Sequence, residues 1–190
     1  MAPIEIERPD PRWADDFARV ASLLRGALGD RALRIDHIGS TAVPDLPAKP
    51  IIDVQVTVRS FDGLQRPLEA AGFRWREIRT DHPPAGRDLN RTELEKRFVQ
   101  HATSPSANVH LRLEGRYNQR YALLCRDYLR THPAAAQAYA SAKLGLARIV
   151  EDDVAAYYAV KDPIFDLIVA AAEDWAAASA WDVGDPTAEG

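Results

Sequence analysis

The chain has 190 residues, 24 of them Lys or Arg and 28 Asp or Glu, giving a formal net charge of −4. A single cysteine, Cys125, excludes a disulfide scaffold and a multi-thiolate zinc site, no apolar run reaches membrane-spanning length, and the acidic balance argues against a nucleic-acid polymer as partner. The length predicts one domain over 1–181, with an α/β core at 1–115, helices at 116–181 and a flexible tail at 182–190, and the low cysteine content with no leader-like N-terminus points to a reducing cytoplasm.

The first predicted helix starts at a capping Asp10 followed by Pro11 and stops at Gly29. Between them Trp13, Phe17, Val20, Leu24 and Leu28 recur at spacings of three and four, the stripe of a helix packed on a core. Residues 33–38 read as a strand ending at Gly39-Ser40, followed by a Pro-bounded loop from Thr41 to Pro50. The β-branched run 51–58 is the next strand, and Ser60 to Gly72 reads as a helix weakened by Pro67. Strands are predicted at 73–79, 97–101 and 108–113, with a mobile loop at 80–92 around Pro83-Pro84 and Gly86. Helices follow at 117–131 and 134–149, and a third opens near Asp152 and restarts at Asp162-Pro163. Strands first and helices last make the class α+β: a mixed sheet flanked by helices, with a helical C-terminal extension.

Charge is distributed unevenly along this order. Residues 1–86 carry a net −1, residues 87–130 a net +4 and residues 131–190 a net −7. The middle segment is therefore where an anionic ligand is expected.

The stretch richest in chemistry is His37-Ile38-Gly39-Ser40-Thr41-Ala42-Val43-Pro44 with Lys49-Pro50-Ile51-Ile52-Asp53-Val54-Gln55. A Gly-Ser turn at a strand end lets backbone N–H groups approach an anion, and the hydroxyls of Ser40 and Thr41 add donors for phosphate oxygens. Lys49 contributes a positive charge just before the next strand. On that strand Asp53 and Gln55 share a face while Ile52, Val54, Val56 and Val58 share the other. A carboxylate beside a phosphate cradle suits Mg²⁺, which is held by one or two carboxylates plus substrate phosphates. Asp53 could instead cap a turn or pair with an arginine. His37 reads as a structural residue. His110 can act as a general base or ligand if it shares a cleft with Asp53, and Arg97 and Arg112 can clamp phosphate from strands. Arg126 with Asp127 reads as an ion pair fixing a helix, and Cys125 as buried and inert. Lys143 and Lys161 lie on the C-terminal helices and are two of only four lysines, against twenty arginines.

These motifs resemble the nucleotidyltransferase superfamily, with its Gly-Ser turn followed by an acid-x-acid strand. More narrowly, the chain is similar to the GrpB family, which is sometimes found fused to dephospho-CoA kinase. The likeness covers the stretches just quoted, Asn108–Leu111, Cys125–Pro133, Ala138-Tyr139, Lys143, Leu144, Tyr158 and Lys161. It implies a nucleotidyltransferase-like sheet and, for function, transfer of a nucleoside monophosphate from a triphosphate to a small acceptor. On this reading Asp53 and His110 are catalytic, and Asp53 with Gln55 holds at most one Mg²⁺. Gly39, Ser40, Thr41, Lys49, Arg112, Lys143 and Lys161 bind the nucleotide or other phosphorylated ligand. Two departures weaken two-metal chemistry: Gln55 stands where a second carboxylate is usual, and strand 108–113 offers His110 and Arg112 where a third acid is usual. A catalytically reduced module for a nucleotide or CoA-type phosphate is the alternative, and a protein contact through the acidic helical end is a third. Motifs for a P-loop kinase, a G-x-S-x-G hydrolase and an H-E-x-x-H zinc enzyme do not occur.

Overall fold

The computed structural model describes residues 4–187. Its first helix, α1 (Arg12–Leu28), starts where the Asp10 carboxylate accepts from the Arg12 N–H at 2.9 Å, and ends at Gly29 with φ +54°. The whole stripe from Trp13 to Leu28 is buried.

Five strands form one mixed sheet: β1 (Arg34–Ile38), β2 (Ile52–Val58), β3 (Arg74–Arg76), β4 (Lys96–His101) and β5 (Ala107–Leu113), in the order β1-β2-β5-β4-β3. Only β2 and β5 run parallel; the other pairs are antiparallel. The pleat sorts β2 into two faces. Ile52, Val54, Val56 and Val58 join Val109, Leu111 and Val99 in the main core beneath α1 and the short α2 (Gln65–Ala70). Asp53 and Gln55 face the other way, in register with Asn108 and His110 of β5.

Three helices complete the chain: α3 (Tyr117–Thr131), α4 (Pro133–Val150) and α5 (Val154–Ser179). They pack on one another, with α3 lying over the polar face of the sheet at β1 and β5. The loop after Ser40 plugs into this group, where Val43 and Leu46 are buried with Leu129, Tyr139 and Ile168. That packing holds the Gly-Ser turn against α4.

The sequence expectations for the helix at 60–72 and the strand at 73–79 are longer than the elements observed. Ser60 and Asp62 close a local turn instead, the Ser60 hydroxyl accepting from the Asp62 N–H at 3.1 Å. The expected restart at Asp162-Pro163 is corrected: α5 runs unbroken with Pro163 inside it, and its cap is Asp153, which accepts from the Ala156 N–H at 2.9 Å. An interior proline costs about 3 kcal/mol, offset here because α5 buries residues on both sides of it, from Tyr157 to Ala176. The predicted mobile loop is anchored, since Asp81 is buried and the Ala85 N–H donates to Asp166 at 3.1 Å. The start of the predicted tail is also tied down: Gly184 O accepts from Arg34 at 3.1 Å and Thr187 Oγ1 from Arg126 at 3.0 Å, while residues 188–190 lie outside the described ones. Among the described residues no helix is long and apolar enough to cross a membrane.

Leu24 is fully buried between α1 and the sheet. Leu24→Ala is expected to lower stability by about 2–5 kcal/mol, read from the midpoint of urea unfolding.

Candidate functional site

A cleft of about 640 Å³ opens between the polar face of the sheet and the C-terminal helices. Asp53 sits in it at the point where β1 ends. Gly39 has φ +71°, and a Cβ placed there would lie 2.5 Å from Asp53 Oδ2 and 2.8 Å from its Cβ. Only glycine allows the turn to press against the carboxylate, so the Gly-Ser turn and Asp53 form one unit. Asp53 Oδ1 accepts from Asn108 Nδ2 at 3.1 Å, and His110 Nε2 stands 4.0 Å away. Burial pushes the Asp53 carboxyl up from its ordinary value, partly opposed by the Asn108 hydrogen bond.

Beneath the cleft lies a closed polar network. Arg112, 2% exposed, donates from Nε and Nη2 to the two oxygens of Asp81, both at 2.9 Å, and from Nη1 to Gln55 Oε1 at 2.6 Å. Asp81 also accepts from Lys96 Nζ at 2.6 Å and from Asn118 Nδ2 at 3.0 Å. Burial alone would raise the Asp81 carboxyl, but Arg112 and Lys96 hold it well below the usual carboxylate range. Lys96 Nζ is 3.3 Å from His110 Nδ1. An ammonium has only protons to give, so Nδ1 accepts, and the ring proton is assigned to Nε2, on the Asp53 side. Burial first, then Lys96 and Arg112, push His110 well below its ordinary value, which leaves a neutral imidazole.

This network corrects two sequence expectations. Gln55 is not open to a metal: it is fully buried, its Oε1 bound to Arg112 and its Nε2 donating to Gln119 O at 2.9 Å. Arg112 is not a free phosphate clamp, because its donors are committed to Asp81, Gln55 and, at 3.5 Å, the Tyr121 hydroxyl. Thr41 and Arg97 are likewise engaged elsewhere. The Thr41 hydroxyl is 2.9 Å from His37 Nε2, and Arg97 pairs with Glu95 and stacks on Phe61. His37 lies in the core, stacked on Phe17 at 4.7 Å, and burial pushes it down to about 3. Cys125 is 1% exposed, and burial pushes its thiol up to about 12.

The walls carry the charge. All four lysines of the chain line this cleft. Lys143 of α4 donates to Ser40 Oγ at 2.8 Å and to Pro47 O at 2.6 Å, so it ties the Gly-Ser turn to the helix. Each ammonium is seated on an aromatic ring: Lys49 lies 4.9 Å from the Tyr157 centroid, Lys143 4.8 Å from Tyr139, Lys161 5.2 Å from Tyr158 and Lys96 5.4 Å from Phe98. Lys96 pairs with Asp81 and Lys161 with Asp162, whereas Lys49 and Lys143 have no carboxylate ion pair among the described residues. Burial and the nearby Lys161 push Lys143 down to about 7. The same two causes lower Lys49.

The structure thus brings Gly39, Ser40, Lys49, Asp53, His110, Lys143 and Lys161 to one cleft. Sequence reading missed Lys96 and Asp81. Lys96 could have been found as the last of four rare lysines, but nothing in the loop sequence marks Asp81. As for the expected Mg²⁺, Asp53 is the one expected ligand still free to coordinate, and it is surrounded by ammonium groups. Among the described residues no group of three or more His, Cys, Asp or Glu is arranged to hold a metal. That donor set does not fit a resident divalent cation.

Comparison with known proteins agrees with the architecture. A family model described as GrpB protein matches residues 3–171. A protein named dephospho-CoA kinase from Mycolicibacterium paratuberculosis is 37% identical, over 95% of this chain and 48% of its own length. UPF0157 protein PA4798 from Pseudomonas aeruginosa is 38% identical, over 85% of this chain and 64% of its own. The chain thus spans about half the length of the kinase-named relatives. The crystal structure of conserved protein GrpB from Enterococcus faecalis superposes with a TM-score of 0.73 at 29% identity, covering 90% of this chain and 99% of that one.

Two substitutions test this construction. Gly39→Ala is expected to displace Asp53, seen as loss of the Asn108 contact in a crystal structure together with lower stability. Asp81→Asn leaves the buried Arg112 and Lys96 charges without their carboxylate and is expected to cost about 3–5 kcal/mol in urea unfolding.

Proposed function

The chain belongs to the GrpB family, and from that premise we propose that its cleft binds a phosphorylated small molecule of the nucleotide or CoA type. The observation that carries this reading is that all four lysines line the cleft that holds the Gly39-Ser40 turn and Asp53, with Lys143 bound to Ser40 itself. Among the described residues two of those ammonium groups are without a carboxylate ion pair, so the cleft holds positive charge that a phosphate would meet. On this reading the phosphate lies at Ser40 with Lys49, Lys143 and Lys161 in the same cleft, and the exposed Tyr158 offers a ring for the organic portion. Relatives named dephospho-CoA kinase carry a stretch like this chain in about half of their length, which supports a CoA-type ligand. The chain itself has no G-x-x-x-x-G-K-[ST], so the kinase activity in that name is not carried over.

Nucleotidyl transfer is the second reading, favoured by the contact between Gly39-Ser40 and a strand carboxylate, with Asp53 and His110 at the acceptor. It would need a magnesium ion brought with the nucleotide. The commitment of Gln55 to Arg112 and Gln119 favours binding without transfer.

Isothermal titration with pyrophosphate, ADP, dephospho-CoA and CoA tests the proposal. At least one is expected to bind, and Lys143→Gln is expected to weaken it about ten- to hundredfold, the worth of a hydrogen bond to a charged group. No binding by any of the four contradicts it. The pH dependence has a definite sign. Lys143 is charged below about 7 and neutral above. The terminal phosphate of ADP and the phosphomonoester of CoA lose their last proton at about pH 6, so for these ligands the charge is nearly constant above pH 7 and affinity is expected to fall from pH 7 to pH 9. Lys143→Arg, which keeps its charge, is expected to flatten that slope.

A further inference from the structure

We propose that the cleft takes its ligand as the free phosphate anion, without a divalent cation, the ammonium groups of Lys49, Lys143 and Lys161 supplying the charge that a metal supplies elsewhere. The inference rests on the phosphate-binding reading above and adds the ionic form of the ligand.

Three observations carry it. First, the strand position next to Asp53 is closed to a metal. Gln55 has its oxygen on Arg112 at 2.6 Å and its nitrogen on Gln119 O at 2.9 Å. A carboxylate placed there would meet a guanidinium before it met an ion. Second, fixed positive charge stands near Asp53: Lys96 Nζ is 3.3 Å from His110 Nδ1, whose Nε2 is 4.0 Å from the Asp53 carboxylate, and Lys161 lines the same cleft. A divalent ion on Asp53 would be repelled by these ammonium groups, of which Lys96 is locked on Asp81 at 2.6 Å. Third, the ammonium groups are held in place before any ligand arrives. Lys143 is fixed by Ser40 and Pro47, and Lys49 and Lys161 by tyrosine rings. Ordered cations lose little side-chain freedom on meeting an anion, which favours direct phosphate contact.

Lysine suits this task. It is a compact charge that meets any phosphate oxygen, whereas a guanidinium imposes a planar fork. Three lysines lining one cleft suit a ligand that presents several phosphate oxygens in one group, a diphosphate or a terminal phosphomonoester.

The test is isothermal titration of the full chain with sodium pyrophosphate, once in EDTA and once in millimolar MgCl₂. Binding is expected in EDTA, and magnesium is expected to weaken it severalfold because the metal complexes pyrophosphate in solution. Tenfold or more tightening by magnesium overturns the inference while leaving the phosphate reading intact. No binding in either buffer overturns the inference, and the phosphate reading falls with it if ADP, dephospho-CoA and CoA also fail to bind. Asp53→Asn keeps the shape and the Asn108 neighbour, and in EDTA it is expected to bind pyrophosphate as tightly as the parent or up to about tenfold more tightly, a negative charge having been removed. Binding by the parent that appears only in MgCl₂ and is abolished by Asp53→Asn, with unfolding behaviour unchanged, would assign Asp53 to cation coordination and overturn the inference.

Discussion

A guanidinium removed from water needs fixed acceptors on every side, and Arg112 obtains them from three separate parts of the chain. Asp81 comes from the loop, Gln55 from β2 and Tyr121 from α3. Breaking one partner of such a buried pair costs several kcal/mol, so the loop, the helix and the sheet are held to one arrangement. The consequences spread outward. Asp81 also holds Lys96, Lys96 fixes the tautomer of His110, and Gln55 anchors α3 through Gln119 O. The floor of the cleft is therefore rigid, with its protonation states set by neighbours.

On that floor the chain divides its basic residues by chemistry. Arginines hold the architecture: Arg126 donates to His37 O, Arg130 to Ala42 O and Arg31 to Gly63 O. Their planar donors suit fixed carbonyl oxygens. The lysines are all in the cleft, seated on Tyr139, Tyr157, Tyr158 and Phe98. Aromatic seats orient an ammonium without neutralising it, so the field in the cleft stays available to a ligand. On the proposed reading, a protein with net charge −4 thereby keeps a local anion site.

Where a periodic pattern has one physical cause, the sequence was a sufficient guide. The α1 stripe follows from burial of one helix face and the alternation of β2 from the pleat, which sends its apolar residues into the main core and Asp53 and Gln55 to the polar face, and both appear as expected. The Gly-Ser turn was readable because a strand end pressed on Asp53 tolerates no Cβ. Partners that meet only in three dimensions were not readable. Gln55 and Arg112 look like cleft residues until the loop delivers Asp81 from a distant part of the sequence. Arg97 is adjacent in sequence to Lys96, yet the pleat sends it to the opposite face, over Phe61. Pro163 looked like a helix start because local preference favours one, and tertiary burial along α5 overrode it.

The central claim is that an ordered lysine cluster, rather than a carboxylate-bound metal, forms the working surface of the cleft. Only four lysines exist, so a protein labelled with ¹³C,¹⁵N-lysine gives four ε-methylene signals in an NMR spectrum. During titration with pyrophosphate in EDTA, the signals of Lys49, Lys143 and Lys161 are predicted to shift together along one saturable curve, with Lys96, paired to Asp81, moving least. Four signals unmoved at saturating pyrophosphate, or shifts that appear only once magnesium is added, would contradict the account.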